Sequence, residues 1–193
     1  MKLAYTLAAL ATTLGGTALA LPAHAETYKI DPIHTQVIFF INHLGFSNSS
    51  GKFHVADGTI QFDPAAPTKG SGDVTINTSS LDMSDATWKE HLSGEHFFEV
   101  DKFPTIGFKS TKVESVGKDK LRVSGNLTIH GVTKPVVLDT TVNKVGEHPM
   151  TKKSAAGFSA TTAIRRSDFG MNYYVPAISD EVQIRLEIES SAN

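Results

Sequence analysis

Residues 181–189 read Glu-Val-Gln-Ile-Arg-Leu-Glu-Ile-Glu, a run in which Val182, Ile184, Leu186 and Ile188 alternate with charged or amide side chains. Successive side chains of a strand point to opposite faces, so this run describes a β-strand with one face in an apolar interior and one in water. Upstream, Leu121, Val123, Leu127 and Ile129 alternate with Lys120, Arg122, Ser124 and Asn126. His130-Gly131 then makes a tight break before Val136, Leu138 and Val142, which predicts a hairpin with one wet face. Segments of the same kind lie at 35–44, 51–63, 72–78, 105–114 and 154–164, separated by stretches of Gly, Pro, Asp, Asn and Lys.

About eight strands are therefore predicted. The one predicted helix is short, with Ser84 or Asp85 as N-cap and Ala86 to Leu92 leading to Gly94. A helix near 84–93 cannot cover a whole sheet. Antiparallel strands with polar outer faces must then bury their apolar faces against one another, in a closed barrel or a sandwich. The alternation does not choose between the two. An eight-stranded barrel is wide enough to enclose one small ligand.

The N-terminus has the order of an export signal: Met1-Lys2, an apolar stretch from Leu3 to Leu14, Gly15-Gly16, and Ala23-His24-Ala25 as a small-x-small site. Residues 1–25 are thus expected to be a cleaved signal peptide, with Ala18-Leu19-Ala20 as the alternative site and an uncleaved anchor as the weaker alternative. The expected location is the periplasm. Residues 26–193 suit one domain with a sizeable core. The signal segment holds one of the 18 basic residues and none of the 20 acidic, leaving 17 against 20 and a formal charge of −3. A chain without basic excess is a poor partner for nucleic acid. With no Cys, disulfides and thiolate chemistry are excluded.

Phe contributes 11 residues and Trp 1. Each Phe alone is an ordinary core residue, but together with β-branched side chains they describe the lining of an apolar pocket.

Several blocks occur here in the order found in one family. Tyr28-Lys29-Ile30-Asp31-Pro32, His43-Leu44-Gly45 and Phe62-Asp63 are followed by His91-Leu92, Phe97-Phe98 and Phe103-Pro104-Thr105-Ile106. Gly125-Asn126-Leu127-Thr128-Ile129-His130-Gly131-Val132-Thr133-Lys134-Pro135-Val136 comes next, then Arg166-Ser167-Asp168-Phe169-Gly170-Met171. Over residues 27–190 the chain resembles the YceI-like proteins, also called polyisoprenoid-binding periplasmic proteins. Trp88-Lys89 stand where members often have an Arg-Asp pair, a departure at the mouth of the expected site.

The resemblance implies an all-β, eight-stranded, antiparallel, lipocalin-like barrel that holds a long isoprenoid, quinone tail or fatty amide. It implies no catalysis and no cofactor beyond that lipid. On the first strand it marks the odd positions, so Val37, Phe39 and Ile41 are expected to face the lumen with His43. Phe53, Phe62, Ile76, Phe97, Phe98, Phe108, Leu127, Phe158, Phe169 and Met171 complete the expected lining. His34, His43 and Arg166 are the expected polar groups at a head group or mouth, with Arg166 suited to bidentate recognition of phosphate. His130, Arg165 and Asp168 are further polar candidates.

Ile38 and Phe40 would lie outside and need a cover, through a homodimer, a helix or transient membrane contact. Two other classes remain open. One is a protein–protein adaptor with a collapsed core; the other is a stress protein binding a metal through His34, His43 and His54, although their spacing forms no ligand motif. A hydrolase finds no Gly-x-Ser-x-Gly and no Cys nucleophile here.

Overall fold

A computed structural model of the chain describes residues 25–192. Of the expected signal peptide, residues 1–25, all but Ala25 lies outside the described residues. Ten strands and one helix follow in order: β1 (Glu26–Ile30), β2 (Gln36–His43), β3 (Ser47–Phe53), β4 (Val55–Phe62), β5 (Ser71–Asn77), α1 (Ala86–Ser93), β6 (Thr105–Gly117), β7 (Lys120–Ile129), β8 (Val132–Glu147), β9 (Ser154–Arg165) and β10 (Ile178–Ala192). All pair antiparallel in the order β1-β4-β5-β6-β7-β8-β9-β10-β2-β3, and β1 also pairs with β10. The sheet is closed.

Ten strands make an eight-staved barrel because two staves are broken. β1 and β2 share one edge of β10: Ile30 sits opposite Ser190, and Val37 opposite Leu186. The break between them is an Asp31 turn. The Asp31 carboxylate accepts from the Ile33 and His34 amides at 2.8 and 3.3 Å, while Thr35 Oγ1 donates to the Glu189 carbonyl and re-attaches the chain to β10. β3 and β4 are broken at His54, whose backbone exchanges hydrogen bonds with Ser80 Oγ. The single expected strand at 51–63 is thus two, and Ser47–Ser50 extend it.

β1 has no counterpart in the expected set of strands. Tyr28 and Ile30 alternate with Thr27 and Lys29, but the run is five residues long and ends at Asp31-Pro32. On β10 the alternation holds: Glu181, Gln183, Arg185 and Glu189 are exposed between the partly covered Val182, Ile184, Leu186 and Ile188. At the β7–β8 turn, His130 and Gly131 both have positive φ, 51° and 74°, the combination that a two-residue type I′ hairpin needs.

The helix is α1, capped by Asp85, whose carboxylate accepts from the Trp88 amide at 2.9 Å. It belongs to the long β5–β6 connection. Beyond the Val55–Ile76 pair the edge of β3 has no strand beside it, and Lys52 pairs instead with Asp82 of that connection. The connection therefore completes the wall at one end. That end also carries the β2–β3 turn, the β7–β8 turn and the β9–β10 loop. The far end carries the β4–β5, β6–β7 and β8–β9 connections, the start of β1 and the finish of β10.

Two glycines seat aromatic rings against the wall. A methyl at Gly51 would lie 2.5 Å from Phe39 Cζ, and one at Gly125 would lie 2.4 Å from Phe108 Cζ and 2.7 Å from the Lys109 carbonyl oxygen. Gly125→Ala is expected to destabilise the barrel by about 1–3 kcal/mol in urea titration, the usual cost of overpacking. Gly107→Ala, with nothing within 4 Å, should change it by less than about 0.5 kcal/mol. Equal effects at the two positions would refute the seating.

Candidate ligand cavity

The inner faces of eight staves enclose more room than their side chains fill. A cavity of about 360 Å³ runs along the barrel, within the range of small-molecule sites. Toward the far end a second buried cluster forms from Tyr28, Phe62, Val113, Leu121, Ala156 and Phe158, with Phe62 and Phe158 edge to face at 5.3 Å. The other end of the cavity lies under α1. There Phe98 reaches in from the connection and meets Phe53 edge to face at 5.1 Å and Phe39 at 6.4 Å.

Val37, Phe39, Ile41 and His43 all line the cavity, and the opposite face of β2 carries the exposed Phe40. Phe53, Phe62, Ile76, Phe97, Phe98, Phe108, Leu127, Phe158 and Met171 line it too. Ile38 and Phe40 are flanked on the outside by Lys52 and Ser50 on one strand and by Arg185 and Gln183 on the other.

Two expected site residues are placed otherwise, and a third stands at the site but is already engaged. Phe169 is buried to 1% but packs within the wall and does not line the cavity. The strand ends at Arg165, and Arg166–Phe169 form a 3-10 turn, so the two-residue period no longer assigns faces. His34 points to solvent, its Nδ1 2.7 Å from Asp31 Oδ2. That hydrogen bond and the Asp31 charge raise its pKa, but the pair belongs to the turn between β1 and β2 and lies outside the barrel.

Arg166 lies at the cavity wall, yet its guanidinium is committed to backbone. Nε donates to the Ser179 carbonyl at 2.9 Å, Nη1 to those of Met171 and Tyr173 at 2.8 Å each, and Nη2 to Ile178 at 3.1 Å. Four of its five donors are spent, which removes the bidentate fork that a phosphate would need. Burial draws its pKa down, and the Asp180 charge pulls it back. Arg165 and Asp168 are exposed, while His130 sits at its turn against Phe103, ring centroids 4.2 Å apart. Among the described residues no group of three His, Asp or Glu side chains could hold a metal ion, and His34, His43 and His54 are not brought together.

The cavity also has walls that the expected set lacks. Trp88, His91 and Leu92 enter from α1, Met83 and Tyr174 from the connections, and Val182, Ile184, Leu186 and Ile188 from β10. The β10 residues carried their signal in the alternation itself. The polar lining at the α1 end is Arg166, His43, Ser49, His91 and Tyr174, with His43 against Trp88 at 5.8 Å.

The YceI-like domain model matches residues 28–190, nearly the whole of the described chain. The chain belongs to the YceI-like family. Protein YceI of Salmonella arizonae is 40% identical over 189 residues, covering 97% of this chain and 95% of that protein. Among solved structures, Burkholderia cenocepacia BcnA superposes with a TM-score of 0.75 at 25% identity, over 83% of this chain and 98% of that one. The YceI protein of Campylobacter jejuni gives 0.69 at 33%, over 79% and 90%. A polyisoprenoid binding domain from Saccharophagus degradans, implicated in plant cell wall breakdown, shares the fold at 13% identity, with a TM-score of 0.64 over 86% and 98%. The YceI-like barrel is thus closed, antiparallel and eight-staved, with the wide apolar interior described here.

In this YceI-like chain the β9–β10 loop depends on Arg166 and Asp180. Desolvation pushes the Asp180 carboxyl up, but bonds from the Ser167 amide at 2.9 Å and hydroxyl at 2.7 Å outweigh it and hold its pKa below the usual range. A depressed carboxylate stabilises the fold above its unfolded pKa, about 3.9, and the contribution is lost as pH falls through the lower folded value. Carbon-detected NMR should find Asp180 titrating below the ordinary Asp value of about 3.9; titration above about pH 4 would contradict the pairing. Arg166→Lys should cost about 2–4 kcal/mol in chemical denaturation, since an ammonium cannot reach four carbonyls in that fork. A loss below about 0.5 kcal/mol would show that the loop does not rely on it.

Proposed function

We propose that the protein is a periplasmic carrier that holds a long isoprenoid or similar amphiphile, such as a quinone tail or fatty amide, in the barrel. The observation that carries the reading is a single continuous cavity, lined almost wholly by apolar side chains from every stave and reaching Trp88 and His91 of α1. The lining offers no nucleophile paired with a base, so binding fits the site better than catalysis. An adaptor with a collapsed core does not fit it. The Saccharophagus domain that shares the fold is a polyisoprenoid binding domain, in keeping with the reading.

Energetics set the kind of binder. At about 0.8 kcal/mol per buried CH₂, a forty-carbon isoprenoid gains on the order of 30 kcal/mol on leaving water, beyond the practical affinity ceiling of about 20 kcal/mol. Such a chain is never free in water. Its reference state is the bilayer, where its tail is nearly as well accommodated, so the net preference for the barrel is small. A small preference suits a carrier that loads from one membrane and unloads to another.

The test is native mass spectrometry of the protein purified from its own periplasm, with extraction of the bound molecule. One isoprenoid or quinone per protomer is the expected result. Ala160, buried to 2% on the cavity wall between Thr140 and Leu186, gives the matching variant. Ala160→Trp should fill the lumen, abolish lipid uptake and leave the thermal midpoint within a few degrees of wild type. An empty wild-type protein that takes up no isoprenoid from vesicles would end the carrier reading.

A further inference from the structure

The two ends of the barrel differ in chemistry. At the α1 end the β2–β3 turn exposes Leu44 to 50% and Phe46 to 90%, α1 exposes Trp88 to 39%, and the β9–β10 loop exposes Tyr173 and Tyr174 to 37% and 51%. These five form one rim. Trp88 packs on His43, the residue before Leu44; His43 pairs with Ile178, whose amide donates to the Tyr174 carbonyl; the Tyr173 and Tyr174 rings lie 4.0 Å apart. Trp88 and Tyr174 also line the cavity, so rim and lumen are continuous.

Two of the three rim segments carry no charge: residues 44–50 and 171–179 contain no Asp, Glu, Lys or Arg. The far end reads differently, with Asp63 and Lys69, Lys118 and Asp119, and Lys152 and Lys153 in its three connections, and Glu147 at the end of β8. Its exposed Val116 and Met150 each lie two residues from one of those lysines. The Leu44 backbone adds a second point. Its φ is +57°, a region where a Gly or Asn would cost less, and its side chain is half exposed. Neither backbone geometry nor core packing selects leucine there.

We propose that this rim is the surface by which the protein docks on a lipid bilayer, seating the mouth of the cavity at the headgroup boundary. Tyr and Trp favour that boundary because each has an apolar body and a polar tip, and Phe46 and Leu44 are placed to reach past it. Charge does not drive the contact. The connection beside the rim holds Asp82, Asp85, Glu90, Glu95, Glu99 and Asp101 against Lys89 and Lys102. The bilayer that fits is therefore a neutral one, held by insertion and insensitive to salt. The proposal rests on the carrier reading for its purpose, since a cargo that lives in bilayers must be exchanged at one.

The test is flotation of the mature protein with dioleoyl phosphatidylcholine vesicles, alongside binding of farnesol, a short isoprenoid that reaches the cavity without a membrane. Trp88 is the single Trp of the chain, so its fluorescence reports on the rim alone. Wild type is expected to float, with Trp88 emission shifted to the blue, at both low and high salt. Replacing part of the lipid with dioleoyl phosphatidylglycerol should weaken binding. The pair Leu44→Ser and Phe46→Ser should lower partitioning at least about tenfold with farnesol binding and thermal midpoint unchanged. Wild type that binds farnesol but does not float, or a double variant that floats like wild type, would overturn the docking surface and spare the carrier. Vesicle binding lost in the variant, with no farnesol bound by either form, would sustain docking and end the carrier. A dimer that the double variant dissolves, with no vesicle binding, would assign the rim to a second copy and overturn the proposal.

Discussion

β10 is hydrogen-bonded along both edges, to β9 on one side and to β2 and then β1 on the other, and this double pairing closes the sheet. Closure leaves no exposed strand edge on that stave and fixes which side chains face inward. It also fixes the circumference. Eight staves of this length cannot collapse onto their own apolar faces without breaking the ladder, so the interior is left partly empty. The cavity is thus a consequence of the hydrogen bonding of the wall rather than of any one lining residue.

Within that wall, size is distributed deliberately between neighbours. Phe39 lies opposite Gly51, and Phe108 lies over Gly125, so rings lie flat against bare backbone where a side chain would push them inward. The lining is thereby kept apolar and the lumen kept open at once. Arg166 performs a different task at the α1 end, gathering the Met171 and Tyr173 carbonyls of the β9–β10 loop and the Ile178 and Ser179 carbonyls at the start of β10. Buried charge serves the shape of the mouth there, which explains why a residue with the chemistry of a phosphate ligand takes no ligand's place.

The periodic part of the fold was legible from residues alone. Val182 to Ile188 and Leu121 to Ile129 alternate over enough positions for the face to be unambiguous, and Asp85 caps its helix as its type suggests. What escaped was set by tertiary partners. Ser47–Ser50 has no apolar alternation and is a strand because β2 offers it an edge, and β1 is too short to announce itself. His34 and Phe169 were misplaced, and the commitment of Arg166 to backbone went unmarked, for one shared reason: each sits at a point where the strand period stops, in an Asp31 turn or a 3-10 turn. Parity carries no information there. No period in the sequence marks the contribution of Trp88 and His91, because α1 presents side chains to a barrel end; only the family resemblance put Trp88 at the mouth.

The chain enters the barrel at Glu26, at the charged end, while the aromatic mouth lies at the opposite end. Handle and spout are therefore on opposite sides of the vessel. Anything that tethered the N-terminus to one membrane would turn the mouth away from that membrane and toward whatever faces it, whereas a released barrel is free to present its mouth to either.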